Sequence, residues 1–103
     1  MLKLNSALEA RLDDAGFGPN ELAHAVLMSP MQVYRKLQAL TGQTPSRFIR
    51  SVRLSKGLEL LKNSDLTIAE IAYAVGFADP NYFSRMFQQE FGKSPSDMRK
   101  QTE

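Results

Sequence analysis

The sequence predicts an all-α fold of about seven helices, in which one small two-helix unit is built twice and joined by a long central helix. Three observations carry that expectation. The segment Glu21-Leu22-Ala23-His24-Ala25-Val26 returns as Glu70-Ile71-Ala72-Tyr73-Ala74-Val75, and Pro30, Arg35, Gln38, Gly42, Pro45 and Ser46 recur fifty positions later as Pro80, Arg85, Gln88, Gly92, Pro95 and Ser96. Apolar residues repeat at helical spacing along the chain, and no segment alternates as a half-buried strand does. Helix-starting and helix-stopping residues punctuate the pattern at short intervals.

Leu2, Leu4, Leu8 and Leu12 define a first helix, expected to end near Asp14 ahead of Ala15-Gly16-Phe17-Gly18. Pro19 suits the first turn of a second helix, where its missing N–H costs nothing, and Leu22, Ala23 and Val26 form its inward stripe. Ser29 is a natural N-cap with Pro30 at the first helical position. The third helix runs to about Thr41 and stops at Gly42, which can take the left-handed cap conformation. Val33, Leu37 and Leu40 fall at i, i+4 and i+7 and are expected to face the core.

Thr44 caps a long fourth helix over about 45–62. Its Phe48, Ile49, Val52, Leu54, Leu58, Leu60 and Leu61 spread around much of the circumference, so it is expected to be covered on more than one side and to join the repeats. Gly57 inside it costs about 1 kcal/mol relative to Ala, which a close helix crossing would explain. Arg53, amid these apolar positions, is expected to be structural and paired with an acid. Asn63-Ser64-Asp65 makes a turn. Thr67 and Glu70 form a capping box for a fifth helix to about Val75. Gly76 turns the chain and Phe77 plugs the core. Asp79 and Pro80 start a sixth helix with Phe83, Phe87 and Phe91 inward and Gly92 at its end. Ser94-Pro95 opens a short last helix through about Lys100, with 101–103 expected to fray. The chain thus divides into a first unit over 1–44, a linker helix over 45–62 and a second unit over 63–103.

Composition excludes several functions. At 103 residues the chain suffices for one compact domain. It has no cysteine, which removes disulfides and thiolate metal sites and fits a reducing compartment. His24 is the only histidine, so no metal site is expected. No apolar run approaches the roughly 20 residues of a membrane span, and the start has no signal-peptide pattern. Without a phosphate-binding glycine loop, a nucleophile beside a base or metal-ligand spacing, the chain is not expected to be an enzyme or to carry a cofactor or small-molecule ligand. The net charge is a mild +2, but from Leu22 to Leu58 there is no Asp or Glu, while Arg35, Lys36, Arg47, Arg50, Arg53 and Lys56 fall there. Such segregation points to a basic face for a polyanion.

Each repeat is a short helix, a tight turn and a capped helix with a polar outer face. That is the grammar of a helix-turn-helix, whose second helix can enter the major groove of DNA. One outer face carries Met31, Tyr34, Arg35 and Gln38; the other carries Asn81, Ser84, Arg85 and Gln88. Arginine can pair with guanine, Asn or Gln with adenine, and apolar groups can touch the thymine methyl. The first turns of the second and fifth helices, near Asn20 and Ile68, and the hydroxyls of Ser46 and Ser84 are candidate phosphate contacts.

At these residues the chain resembles the DNA-binding domain of AraC/XylS-family transcription regulators. One stretch is Met28-Ser29 through Val33-Tyr34-Arg35-Lys36-Leu37, then Thr41-Gly42-Gln43-Thr44-Pro45 and Phe48-Ile49-Arg50. The second is Leu66 through Ala72, then Val75-Gly76-Phe77, Asp79 through Arg85, Phe87 and Phe91-Gly92-Lys93-Ser94-Pro95. Leu2 through Asn5 and Arg35 through Gly42 resemble especially the members at the C-terminus of hybrid two-component sensor proteins. The resemblance implies a homeodomain-like, seven-helix fold with two helix-turn-helix units. Its recognition helices would enter successive major-groove segments on one face of double-stranded DNA. Carried over by position, Met31, Tyr34, Arg35, Asn81, Tyr82 and Arg85 would contact bases, and Lys36, Arg47, Arg50 and Ser84 phosphates. Pro30 and Pro80 reduce the base-contacting options at both helix starts. A cytoplasmic, bacterial regulator is implied, as the output domain of a larger signal-responsive protein that could be membrane-anchored elsewhere. RNA polymerase is a further candidate partner. The alternative reading is a protein-interaction module that docks polymerase or another regulator.

Overall fold

The computed structural model describes residues 2–102, with side chains from 3 to 100; the place of the Leu2 side chain on the first stripe and the end of the chain at Glu103 fall outside that range. The seven helices are α1 (Leu2–Ala10), α2 (Pro19–Ala25), α3 (Pro30–Thr41), α4 (Pro45–Asn63), α5 (Ile68–Ala74), α6 (Pro80–Phe91) and α7 (Pro95–Thr102). They form two helix-turn-helix-like subdomains on either side of α4. Helices within each subdomain pack on one another and on α4.

Local chemistry sets most boundaries. The Ser29 hydroxyl accepts from the Gln32 N–H at 3.1 Å while Gln32 Oε1 accepts from the Ser29 N–H at 2.8 Å, a reciprocal box that opens α3. Thr67 and Glu70 do the same for α5, at 3.1 and 2.9 Å. Asp79 Oδ1 accepts from the Asn81 N–H at 2.9 Å to open α6. Gly42 and Gly92 end α3 and α6 in the left-handed conformation at φ 72° and 80°, where a side chain would strain the backbone.

A single apolar core runs through both subdomains. Leu8, Leu22, Val33 and Leu37 fill one side, Ile71, Val75, Phe83 and Phe87 the other, and Phe48, Ile49, Leu54 and Leu61 of α4 connect them. The crossing expected at Gly57 is present: a Cβ there would stand 2.9 Å from the Phe83 ring. The molecule is elongated, 42 × 23 × 22 Å.

Several expectations are corrected. Helix α1 ends at Ala10, not near Asp14. Beyond it the chain tightens into three-residue turns, with the Arg11 N–H on the Leu8 carbonyl and the Asp14 N–H on the Arg11 carbonyl, both at 3.1 Å. The carbonyls of Leu12 and Asp14, just beyond the helix, accept from Arg53. Arg53 itself is structural and buried, but its partners are four backbone carbonyls rather than a carboxylate. Leu40 is 54% exposed although Leu37 is fully buried; it has the right phase, but no element covers the last turn of α3. Phe91 is half-buried against the core rather than inside it. Helix α7 continues to Thr102, past Lys100.

Candidate nucleic-acid interface

The outer faces of α3 and α6 follow from what each helix buries. Val33 and Leu37 are buried on α3, which turns Met31, Tyr34, Arg35, Lys36 and Gln38 outward; Met31 is 58% and Tyr34 44% exposed. Phe83 and Phe87 are fully buried on α6, which turns Asn81, Tyr82, Arg85 and Gln88 outward and leaves Ser84 half-buried. Large apolar groups held in water on a helix face carry a free-energy cost unless something else covers them.

The second face is more tightly arranged. The Tyr82 ring lies 5.9 Å from that of Phe77, tilted by 53°. The Arg85 guanidinium stands 5.8 Å from the Tyr82 ring centroid, within reach of a cation–π attraction. Arg47, in the first turn of α4, is exposed, and Arg50 one turn later is half-buried.

Between the subdomains lies a cleft of about 550 Å³, lined among others by Phe17, Ser46, Arg50, Phe77, Tyr82 and Arg85. It brings together Tyr82 and Arg85 of one subdomain and Ser46 and Arg50 from the start of α4. Met31, Tyr34, Arg35, Lys36, Arg47, Asn81 and Ser84 do not line it. Asp79 also borders the cleft, but its carboxylate is engaged at the start of α6.

The ion pairs among the described residues are Arg11–Asp14 at 2.7 Å and Lys56–Glu59 at 3.4 Å. Arg35, Lys36, Arg47, Arg50 and Arg85 take part in neither. These five cations are therefore not neutralised by carboxylates of the chain, the condition in which a phosphate backbone gains most from them. What the residue pattern did not disclose is the cleft itself, because its walls come from the α1–α2 connection, α4, the turn between α5 and α6, and α6 itself, far apart in sequence.

A family model described as a helix-turn-helix domain matches residues 22–101, the stretch that holds the outward faces of both α3 and α6. The chain belongs to the AraC/XylS family of helix-turn-helix DNA-binding domains. The family is one of transcription regulators, not enzymes. The HTH-type transcriptional activator RhaS of Salmonella arizonae is 42% identical over 78 residues, covering 76% of this chain and 28% of RhaS, so the AraC/XylS domain here spans little more than a quarter of that relative. Among solved structures, a Chromobacterium violaceum transcriptional regulator of the AraC-type DNA-binding-domain group superposes with a TM-score of 0.90 at 25% identity, over 99% of this chain and 90% of that one. The C-terminal domain of AraT, a response regulator from Geobacillus stearothermophilus, matches at 0.86 and 25%, over 97% and 83%. The DNA-binding domain of the global transcriptional factor AdpA, solved in complex with a target DNA, matches at 0.84 and 26%, over 95% and 87%. No described helix is long and apolar enough to cross a membrane.

Proposed function

We propose that this domain reads duplex DNA with α3 and α6 together, one in each of two successive major-groove segments on the same face. The observation that carries the reading is the pair of outward, carboxylate-free helix faces whose arginines have no ion-pair partner among the described residues. The 42 Å length of the molecule is enough to span one groove repeat of about 34 Å. Met31, Tyr34 and Arg35 read bases from α3, and Asn81, Tyr82 and Arg85 from α6. The apolar Met31 and bulky Tyr34 favour thymine methyls and groove shape, whereas Asn81 and Arg85 favour paired hydrogen bonds to adenine and guanine. Lys36, Arg47, Arg50 and Ser84 hold phosphates and set the register. AdpA, similar in fold and sequence, was solved on a target DNA, which supports this reading.

The domain would serve as the output part of a longer regulator, as the 28% coverage of RhaS suggests. The likeness to the C-terminal domain of AraT supports a response-regulator parent. Contacts to RNA polymerase would use surfaces away from α3 and α6. The test is selection of bound duplexes from a random pool, followed by titration of the selected duplex at rising salt. The three cationic phosphate candidates, Lys36, Arg47 and Arg50, should give a slope of log affinity against log salt of about −3, to which the neutral Ser84 hydroxyl adds nothing. A domain that selects no sequence, or whose exposed faces dock only protein, would hold no duplex preferentially at any salt, and the reading would fail.

A further inference from the structure

We propose that Arg53 is the positioning residue that fixes the two recognition helices relative to each other. This rests on the reading that both helices engage one duplex. Arg53 is 5% exposed, in the middle of α4. Its Nη2 donates to the carbonyls of Asp14 at 3.1 Å and Phe17 at 3.0 Å. Its Nη1 donates to the carbonyls of Leu12 and Val75, the latter at 2.8 Å. Three of these carbonyls belong to the connection between α1 and α2, which leads into the first recognition unit. The fourth caps α5, one residue before the turn that aims α6. One planar guanidinium therefore ties the two entry segments together.

The neighbouring backbone is shaped around this knot. Gly76 follows Val75 at φ 94°, and a Cβ on it would overlap Arg53 Nη1 and the Leu12 carbonyl oxygen. Backbone from the two subdomains thus meets with only the Arg53 guanidinium between. Elsewhere the subdomains pack on α4 rather than broadly on each other, so α4 alone would leave them room to rock. A guanidinium offers donors in a fixed plane, and four carbonyls bound at once define an angle as well as a distance. Arg99 uses the same chemistry on the carbonyls of Leu61, Ser64 and Leu66, but these lie in the last turn of α4 and the segment that joins it to α5. Arg53 differs in that its partners sit on opposite sides of the linker.

The test uses Arg53→Lys, which keeps the charge but gathers its donors on one atom that cannot span the four carbonyls. The chain has no cysteine, so spin labels at Ala39→Cys on α3 and Gln89→Cys on α6 report one distance. The parent protein should give a single narrow distribution, and Arg53→Lys a broad one with helix content retained. On the duplex selected by the parent protein, inserting one base pair between the halves should weaken parent binding at least about tenfold and Arg53→Lys binding less than about threefold, because only a rigid pair enforces spacing. An unchanged narrow distance and an unchanged spacing penalty in folded Arg53→Lys would overturn the proposal, as would a broad distribution in the parent. If Arg53→Lys does not fold, the parent protein decides. Arg53 Nη protons that exchange slowly and couple across hydrogen bonds to both the Leu12 and Val75 carbonyls support the clamp, and a freely rotating guanidinium overturns it. If no duplex is selected, the two-helix reading fails while the distance measurement still judges the clamp.

Discussion

The two subdomains follow one sequence plan yet differ in packing, most clearly at the turns before α3 and α6. In the first, Leu27 occupies the left-handed conformation at φ 57° and is 89% exposed. In the second, the matching position is Gly76, buried against Arg53. The residue after the turn is half-buried Met28 in the first and buried Phe77 in the second. From Phe77 an aromatic series continues through Phe83, Phe87 and Phe91, with successive ring centroids 5.2, 5.7 and 4.6 Å apart, and Tyr82 and Arg85 lean on its outer end. The first unit has aliphatic packing beneath α3 and no ring contact for Arg35 among the described residues. On the proposed reading, the same motif yields one face arranged before DNA arrives and another with more side-chain freedom to lose on binding.

The largest expected effect tests that packing. Phe83 touches Phe77 and Phe87 and fills the crossing at Gly57. Phe83→Ala should cost about 3–5 kcal/mol of stability, and Val33→Ala, on the matching stripe of α3, about 2 kcal/mol. Denaturant unfolding of both variants measures the difference. Equal costs would mean that the aromatic series adds nothing over ordinary burial and that the contrast in packing has no energetic consequence.

How far the sequence reveals the molecule follows the same division between local and distant causes. The Thr67–Glu70 box, the Asp79 cap and the glycines at 42 and 92 were readable because each motif satisfies its own backbone within a few residues. The outward faces of α3 and α6 were readable because buried stripes fix the rotation of a helix. The end of α1 was not: the residues just past it lend their carbonyls to Arg53, some forty residues away, a partner that no local pattern announces. Arg53 could be recognised as structural, but backbone carbonyls leave no mark in a sequence, so a carboxylate was the natural and mistaken guess. The exposure of Leu40 was hidden for a similar reason: periodicity gives phase, and coverage depends on where the neighbouring helices end.

Smaller effects concern the reading faces. Arg35→Ala and Arg85→Ala should each weaken binding to a selected duplex by about 1–3 kcal/mol with helix content retained. Unfolding of either would mark that arginine as structural. The two units should part company in a double-mutant cycle. Tyr82 and Arg85 should couple by about 0.5–1 kcal/mol, as an exposed cation–π pair does, whereas Tyr34 and Arg35 should be additive. Coupling of equal size in both pairs would show that Arg85 is no more pre-positioned than Arg35.

The turn itself gives a still smaller effect of opposite sign. A leucine in the left-handed region costs about 1–2 kcal/mol, and a glycine there loses about 0.5–1 kcal/mol through unfolded-state freedom. Leu27→Gly should therefore stabilise the domain by about 0.5–1 kcal/mol, since the exposed side chain has little packing to lose. Thermal unfolding checks this, and destabilisation would show that Leu27 makes contacts its exposure does not suggest.

The smallest effect separates the caps of α5 and α2. The Thr67 N–H donates to Glu70 Oε1, and that bond, with help from the Thr67 hydroxyl, holds the Glu70 carboxyl below its ordinary value of 4.5. In α2, Glu21 accepts from the Gly18 N–H at 2.9 Å, but glycine has no hydroxyl to return the bond. Because the folded value of Glu70 is depressed, its contribution is complete above the unfolded value and fades as pH falls through the folded one. Melting temperatures of the parent and Glu70→Gln should accordingly differ most at about pH 6 and converge as pH falls through the depressed folded value, below which both side chains are neutral. A gap that stays constant over that range would mean that the Glu70 charge contributes nothing to holding α5, and the reciprocal cap would then be geometry without electrostatic consequence.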